Sequence, residues 1–200
     1  MNPLIKRLLF AAAVGAWLAS VGCGLAIVLA YENRPGAAAH APVRWPAATA
    51  LRAAADRPTL VFLAHPQCSC TRASLEELAQ VLARVPRSPK TYVVFLKPTG
   101  LAADWEKTDL WRAAESLPNV ALVRDDDGIE ARRFGVETSG QTLLYDRGGR
   151  LVFSGGITGS RGHGGENAGE TALISLLTRG SANGRTPNVY GCPLFANGAP

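Results

Sequence analysis

The sequence predicts an α/β domain with a largely parallel central sheet. A closing antiparallel hairpin extends the sheet, and one membrane-spanning helix precedes the domain. Three observations carry this. Apolar, strand-like runs alternate with helix-spaced patterns after residue 58. A turn signal, Asp146-Arg147-Gly148-Gly149, separates the last two strand-like runs. An uncharged apolar run fills the N-terminus. Strands that alternate with helices imply parallel pairing, and a hairpin adds antiparallel strands.

From Leu8 to Tyr31 there is no charged side chain. At about 1.5 Å per residue this run exceeds the roughly 30 Å hydrocarbon core of a bilayer. Lys6 and Arg7 precede it, so the positive-inside rule keeps residues 1–7 cytoplasmic and sends the rest outward. A cleaved signal peptide would have a shorter apolar core and a nearby small-residue site. Ala39-His40-Ala41 has the small residues but lies far beyond the run and is followed by Pro42. A lipoprotein site at Cys23 is also disfavoured, because the run stays apolar after it and Ser20 stands where Leu is expected. The reading is an uncleaved anchor over residues 8–31, single-pass in the inner membrane, with the C-terminal part on the periplasmic side.

Residues 32–57 are rich in Ala, Pro and Gly and read as a linker with a short helix at residues 47–55, ended before Pro58. Residues 58–180 form the domain. A buried strand at 59–64 is followed by a helix over 71–85, where Leu75, Leu78, Ala79, Leu82 and Val85 share one face. Pro86 and Pro89 end it. A second strand covers 91–96, a second helix 102–117 with Trp105 and Trp111 as packing anchors, and a third strand 119–123. A short helix at 128–134 precedes the hairpin strands 141–145 and 150–154. A Gly-rich loop runs from 155 to 169, a last helix centres on 170–177, and residues 181–200 form a tail containing Cys192.

The chain carries a formal charge of +5. Its basic residues are scattered, with no aromatic interleaving, which argues against a nucleic-acid partner. The run Asp125-Asp126-Asp127-Gly128 lacks the ligand spacing of a Ca²⁺ loop and reads as a solvated turn.

The chemistry concentrates at Cys68 and Cys70, one residue apart where the first strand meets the first long helix. A helix N-terminus stabilises a thiolate through its dipole and free N–H groups. Outside the membrane the chain has three thiols, Cys68, Cys70 and Cys192, in a compartment that favours disulfides. An odd thiol implies exchange or metal binding over a purely structural role. A disulfide across one residue is tight and therefore easily reduced. Cys68, outside the first helical turn and expected to be the more exposed, is the candidate nucleophile, with Cys70 resolving. Cys192 is either a resolving thiol or a clip that fastens the tail. His65 either tunes the thiols or ends a strand. His163, with Arg161, either overhangs the cysteines from the Gly-rich loop or belongs to an exposed loop. A metal reading would use Cys68, Cys70 and His163, with His65 or Cys192 as further donors, to hold copper as soft-ligand cargo.

The order of elements, with cysteines at the first helix start, resembles the thioredoxin-like superfamily and within it the membrane-anchored periplasmic TlpA-like oxidoreductases. Three stretches carry the resemblance: Phe62-Leu-Ala-His-Pro-Gln-Cys-Ser-Cys-Thr-Arg72, Phe134-Gly-Val-Glu-Thr-Ser-Gly-Gln-Thr-Leu-Leu-Tyr-Asp146 and Arg150-Leu-Val-Phe-Ser-Gly-Gly156. It implies a thioredoxin-like fold, thiol–disulfide exchange with protein thiol partners, and no cofactor. Two departures stand out. The family's Cys-x-x-Cys is Cys-x-Cys here, and its cis-proline falls on Gly140, where glycine should leave the loop more mobile.

Overall fold

The computed structural model describes residues 2–181 and 186–195. It divides into two compact units, residues 1–34 and residues 35–200. In the first, helix α1 (Pro3–Glu32) is capped by the Asn2 side chain, which accepts from the Leu4 N–H at 3.0 Å, and carries Pro3 where a missing N–H costs nothing. No α1 side chain is buried within the fold. The helix is long and apolar enough to cross a membrane. It begins five residues before the uncharged run, because Lys6 and Arg7 are themselves helical.

The second unit contains strand β1 (Thr59–Ala64), helix α2 (Ser69–Arg84), strand β2 (Lys90–Lys97), helix α3 (Asp109–Glu115), strand β3 (Val120–Asp126), helix α4 (Ile129–Arg133), strands β4 (Thr142–Tyr145) and β5 (Leu151–Gly155), and helix α5 (Ala168–Arg179). The sheet order is β3-β2-β1-β4-β5. Strands β1, β2 and β3 pair in parallel, while β4 runs antiparallel to both β1 and β5. A β-α-β unit followed by a hairpin and a closing helix is the thioredoxin-like fold, here with α3 and β3 added beyond β2.

Strand β1 is buried along its whole length because it is central and covered on both faces. Its alternating side chains divide the interior in two. Leu60, Phe62 and Ala64 pack with Leu75, Leu78, Val81 and Leu82 of α2, Leu110 and Ala114 of α3, and Leu173 of α5. Val61 and Leu63 face Phe134, Leu143, Tyr145, Leu51 and Leu194. The hairpin turn is closed by Asp146, whose carboxylate accepts from the N–H groups of Gly148 and Arg150, both at 2.9 Å, and Gly149 supplies the left-handed φ of +71°.

Three expectations need correction. Residues 47–55 contain no helix. Thr49 and the Ala50 N–H bond the buried Glu130 carboxylate, and the Arg52 N–H reaches the Tyr92 hydroxyl, so polar tertiary contacts override a local alanine preference. The segment from residue 35 is also no free spacer. It lies on the domain, with the His40 N–H on the Gly135 carbonyl, the Tyr145 hydroxyl on the Pro42 carbonyl, and Trp45 against Phe134 and Tyr145. The second helix is shorter than residues 102–117. It starts only at Asp109, where the Thr108 side chain caps it, and the residues before it form turns.

Candidate functional site

Strand β1 ends at Ala64, and the turn His65-Pro66-Gln67 leads into α2. Cys68 is the N-cap residue, with extended backbone angles (φ −95°, ψ 118°), and Cys70 is the second residue of the helix. The expectation that Cys68 is the more exposed thiol fails: Cys68 is 1 % exposed and Cys70 6 %. The tail lies against Cys68. Residues 186–195 return across the domain and place the Cys192 sulfur 2.7 Å from that of Cys68. Cys192 itself is half-buried.

The electrostatics single out Cys68. The hydrogen bond from the Cys192 thiol, aided by Thr71, holds its pKa down at about 4, against the opposing effect of burial. The same contact, together with burial, pushes the Cys192 thiol far above the ordinary range. Burial and the neighbouring Cys68 thiolate raise Cys70, and the Arg161 guanidinium beside it acts in the opposite direction. These shifts favour the charged form at Cys68 and the protonated form at Cys192.

The loop before β4 supports this arrangement. The Ser139 hydroxyl accepts from the His65 N–H at 2.8 Å and lies 2.7 Å from the Thr71 hydroxyl. Its N–H donates to the Cys192 carbonyl at 2.9 Å. Gly140 is not loosened by the absence of proline. Its N–H, which proline would lack, donates to the Leu63 carbonyl at 2.8 Å, and its φ of +86° suits glycine.

The histidines take lesser places. His65 packs edge-on to Trp105, and its Nδ1 accepts from the Gln67 N–H at 3.2 Å. Burial lowers its pKa, while the Cys68 thiolate pulls the other way, so it sits beside the site as a neutral ring. His163 is exposed, with Nδ1 2.8 Å from the Arg161 carbonyl oxygen. The Gly-rich loop reaches the cysteines through Arg161, whose Nη1 donates to the Gly191 carbonyl at 2.6 Å. Among the described residues no group of three or more His, Cys, Asp or Glu side chains is arranged to hold a metal ion.

Ser139 and Gly191 escape sequence reading. Ser139 lies within the stretch 134–146 but carries no chemical signal there, and both residues matter through where the backbone puts them. A Cβ on Gly191 would collide with the Ser139 carbonyl oxygen, so only glycine brings the tail this close.

No protein-family model matches the chain, and no curated protein does. Solved structures do. An uncharacterized conserved protein from Geobacillus kaustophilus superposes with a TM-score of 0.61 at 13 % identity, over 84 % of this chain and 94 % of that one. A hypothetical protein from Sinorhizobium meliloti gives 0.51 at 21 % identity, over 82 % and 96 %. The pneumococcal exposed lipoprotein thioredoxin of Streptococcus pneumoniae gives 0.44 at 18 % identity, over 60 % and 83 %. At such identities the first two likenesses establish a shared fold, in agreement with the strand order and pairing described above.

Proposed function

We propose that the protein is a membrane-anchored, extracytoplasmic thiol–disulfide oxidoreductase whose reacting sulfur is Cys68 and whose disulfide partner is Cys192. The observation that carries this is the 2.7 Å approach of the two sulfurs at the start of α2. It is closer than a non-bonded sulfur contact, so little movement would form the bond of about 2.05 Å. The basic residues Lys6 and Arg7, in α1 just ahead of its uncharged run, favour an inner-membrane anchor with the domain outside, where disulfides persist.

The reduced protein reacts as follows. The Cys68 thiolate attacks a partner's disulfide, forms a mixed disulfide and expels one partner thiolate. Cys192 loses its proton to solvent and attacks the Cys68 sulfur, which releases the second partner thiolate. The partner gains two electrons, and this protein is left with a Cys68–Cys192 disulfide. Cys70 is the alternative resolving thiol, buried in the first turn of α2 with Arg161 to stabilise its charged form. The low thiol pKa of Cys68 makes it a good leaving group, so the Cys68–Cys192 disulfide is readily attacked at Cys192 and the same steps run in reverse, oxidising a partner dithiol.

The test is exchange between the reduced full-length protein in detergent and a disulfide-bonded peptide. Cys68→Ser should abolish exchange. Cys192→Ser should leave the mixed disulfide on Cys68 as an accumulating species. A Cys68→Ser protein that exchanges as fast as wild type would sink the reading.

A further inference from the structure

The tail is bound as a peptide would be. The Ser139 N–H donates to the Cys192 carbonyl at 2.9 Å, and the Leu194 N–H donates to the Glu137 carbonyl at 2.7 Å. Between these bonds Thr138 and Pro193 form an antiparallel bridge. Pro193 has no N–H, and this register asks none of it. On the upstream side the Gly36 N–H donates to the Val189 carbonyl at 2.8 Å, and the tail backbone crosses close over Gly155 and Gly156. Val189 and Leu194 are buried, and Phe195 stacks on the Arg132 guanidinium, 4.1 Å from its ring centre.

These are largely main-chain bonds, which any extended segment can make, while the side chains select. The position before the cysteine must be glycine, because of the Ser139 carbonyl. The position after it is free of a donor requirement. The next one enters an apolar pocket with Phe134 and Val136 in the same cluster.

We propose that residues 186–195 are the built-in occupant of a peptide-docking edge at Glu137–Ser139, latched by the Cys68–Cys192 disulfide, and that reduction lets an extended Gly-Cys-x-apolar segment of a partner protein take their place. This rests on the redox reading of Cys68 and Cys192 given above. The latch opens by two exchanges with a partner dithiol. One partner thiolate attacks the Cys192 sulfur, which is half-buried while Cys68 is covered, and Cys68 leaves as a thiolate. The second partner thiolate then attacks its own sulfur in the mixed disulfide. Cys192 leaves and takes up a proton given up by the partner. The partner departs as a disulfide, oxidised by two electrons, and the latch is reduced by two.

The test uses the full chain in detergent and a fluorescent Val-Tyr-Gly-Ser-Pro-Leu-Phe peptide, the sequence of residues 189–195 with serine for cysteine. Gly191→Val expels the tail without altering a thiol. Its binding of the peptide should be at least tenfold tighter than that of the oxidised wild type. Equal binding, or none by either protein, overturns the proposal. In the wild type itself, hydrogen exchange at the Ser139 and Leu194 amides should quicken at least tenfold on reduction, and unchanged protection overturns the latch. Failure of the redox reading looks different. Mapping would then recover no Cys68–Cys192 disulfide, yet the peptide would still bind Gly191→Val if the docking edge exists.

Discussion

The sulfur of Cys192 lies 2.7 Å from that of Cys68, although 124 residues of chain separate them. That contact is the largest influence lowering the Cys68 pKa, and it joins the tail to the start of α2.

The first expected consequence is a titration. Ultraviolet thiolate absorbance of reduced Cys70→Ser protein should show a thiol with a pKa of about 4, assigned to Cys68 by its loss in Cys68→Ser. The folded value lies below the reference 9.0, so the thiolate persists at neutral pH and is lost as pH falls through about 4. Exchange rates should fall over the same interval. Cys192→Ala removes the largest lowering influence and should move the transition upward. An unmoved transition would show that the helix start alone sets it.

The second concerns pairing. Peptide mapping of the air-oxidised protein should recover Cys68 joined to Cys192, with Cys70 alkylated as a free thiol. The closed loop is long, and loop-entropy arguments give about 5 kcal/mol for such a bond, against about 2–4 kcal/mol for disulfides in general. Reduction should therefore lower the denaturant midpoint of the domain. A dominant Cys68–Cys70 disulfide would contradict this pairing.

Arg161 offers a third measurement. Its guanidinium lowers the Cys70 thiol pKa and holds the Gly191 carbonyl. Arg161→Ala should raise the pH at which Cys70 is alkylated, while Arg161→Lys should restore part of the shift. His163→Ala should leave that pH profile unchanged.

Gly140 tests the backbone. Its φ of +86° and the Ser74 hydroxyl, 3.0 Å from where a Cβ would sit, make Gly140→Ala unfavourable by about 1–2 kcal/mol. Gly140→Pro should cost more, since it also removes the N–H that bonds Leu63. Denaturant unfolding of the two variants should follow that order. An equal or reversed order would mean that the loop is not held as described.

Much of the fold is legible from local signals. The helical spacing of Leu75, Leu78 and Leu82 and the Asp146-to-Gly149 turn each act over a few residues, and both elements form where they are expected. The site is only half legible. Cys68 and Cys70 announce themselves at a strand-to-helix junction, but their relative exposure comes out opposite to expectation, because the segment that lies against Cys68 has no periodicity of its own.

The sequence by itself determined the apolar N-terminal helix, the alternation of strands and helices, and the placing of two thiols at a helix start, since each follows from patterns within one element. Only the tertiary structure decided that Cys192 is the thiol beside Cys68, that Arg161 and not His163 turns toward the cysteines, and that Gly140 is tied through its N–H. Those outcomes depend on main-chain contacts between distant segments, at Ser139 and Gly191 above all, where the absence of a side chain on Gly191 permits an approach that no local pattern records.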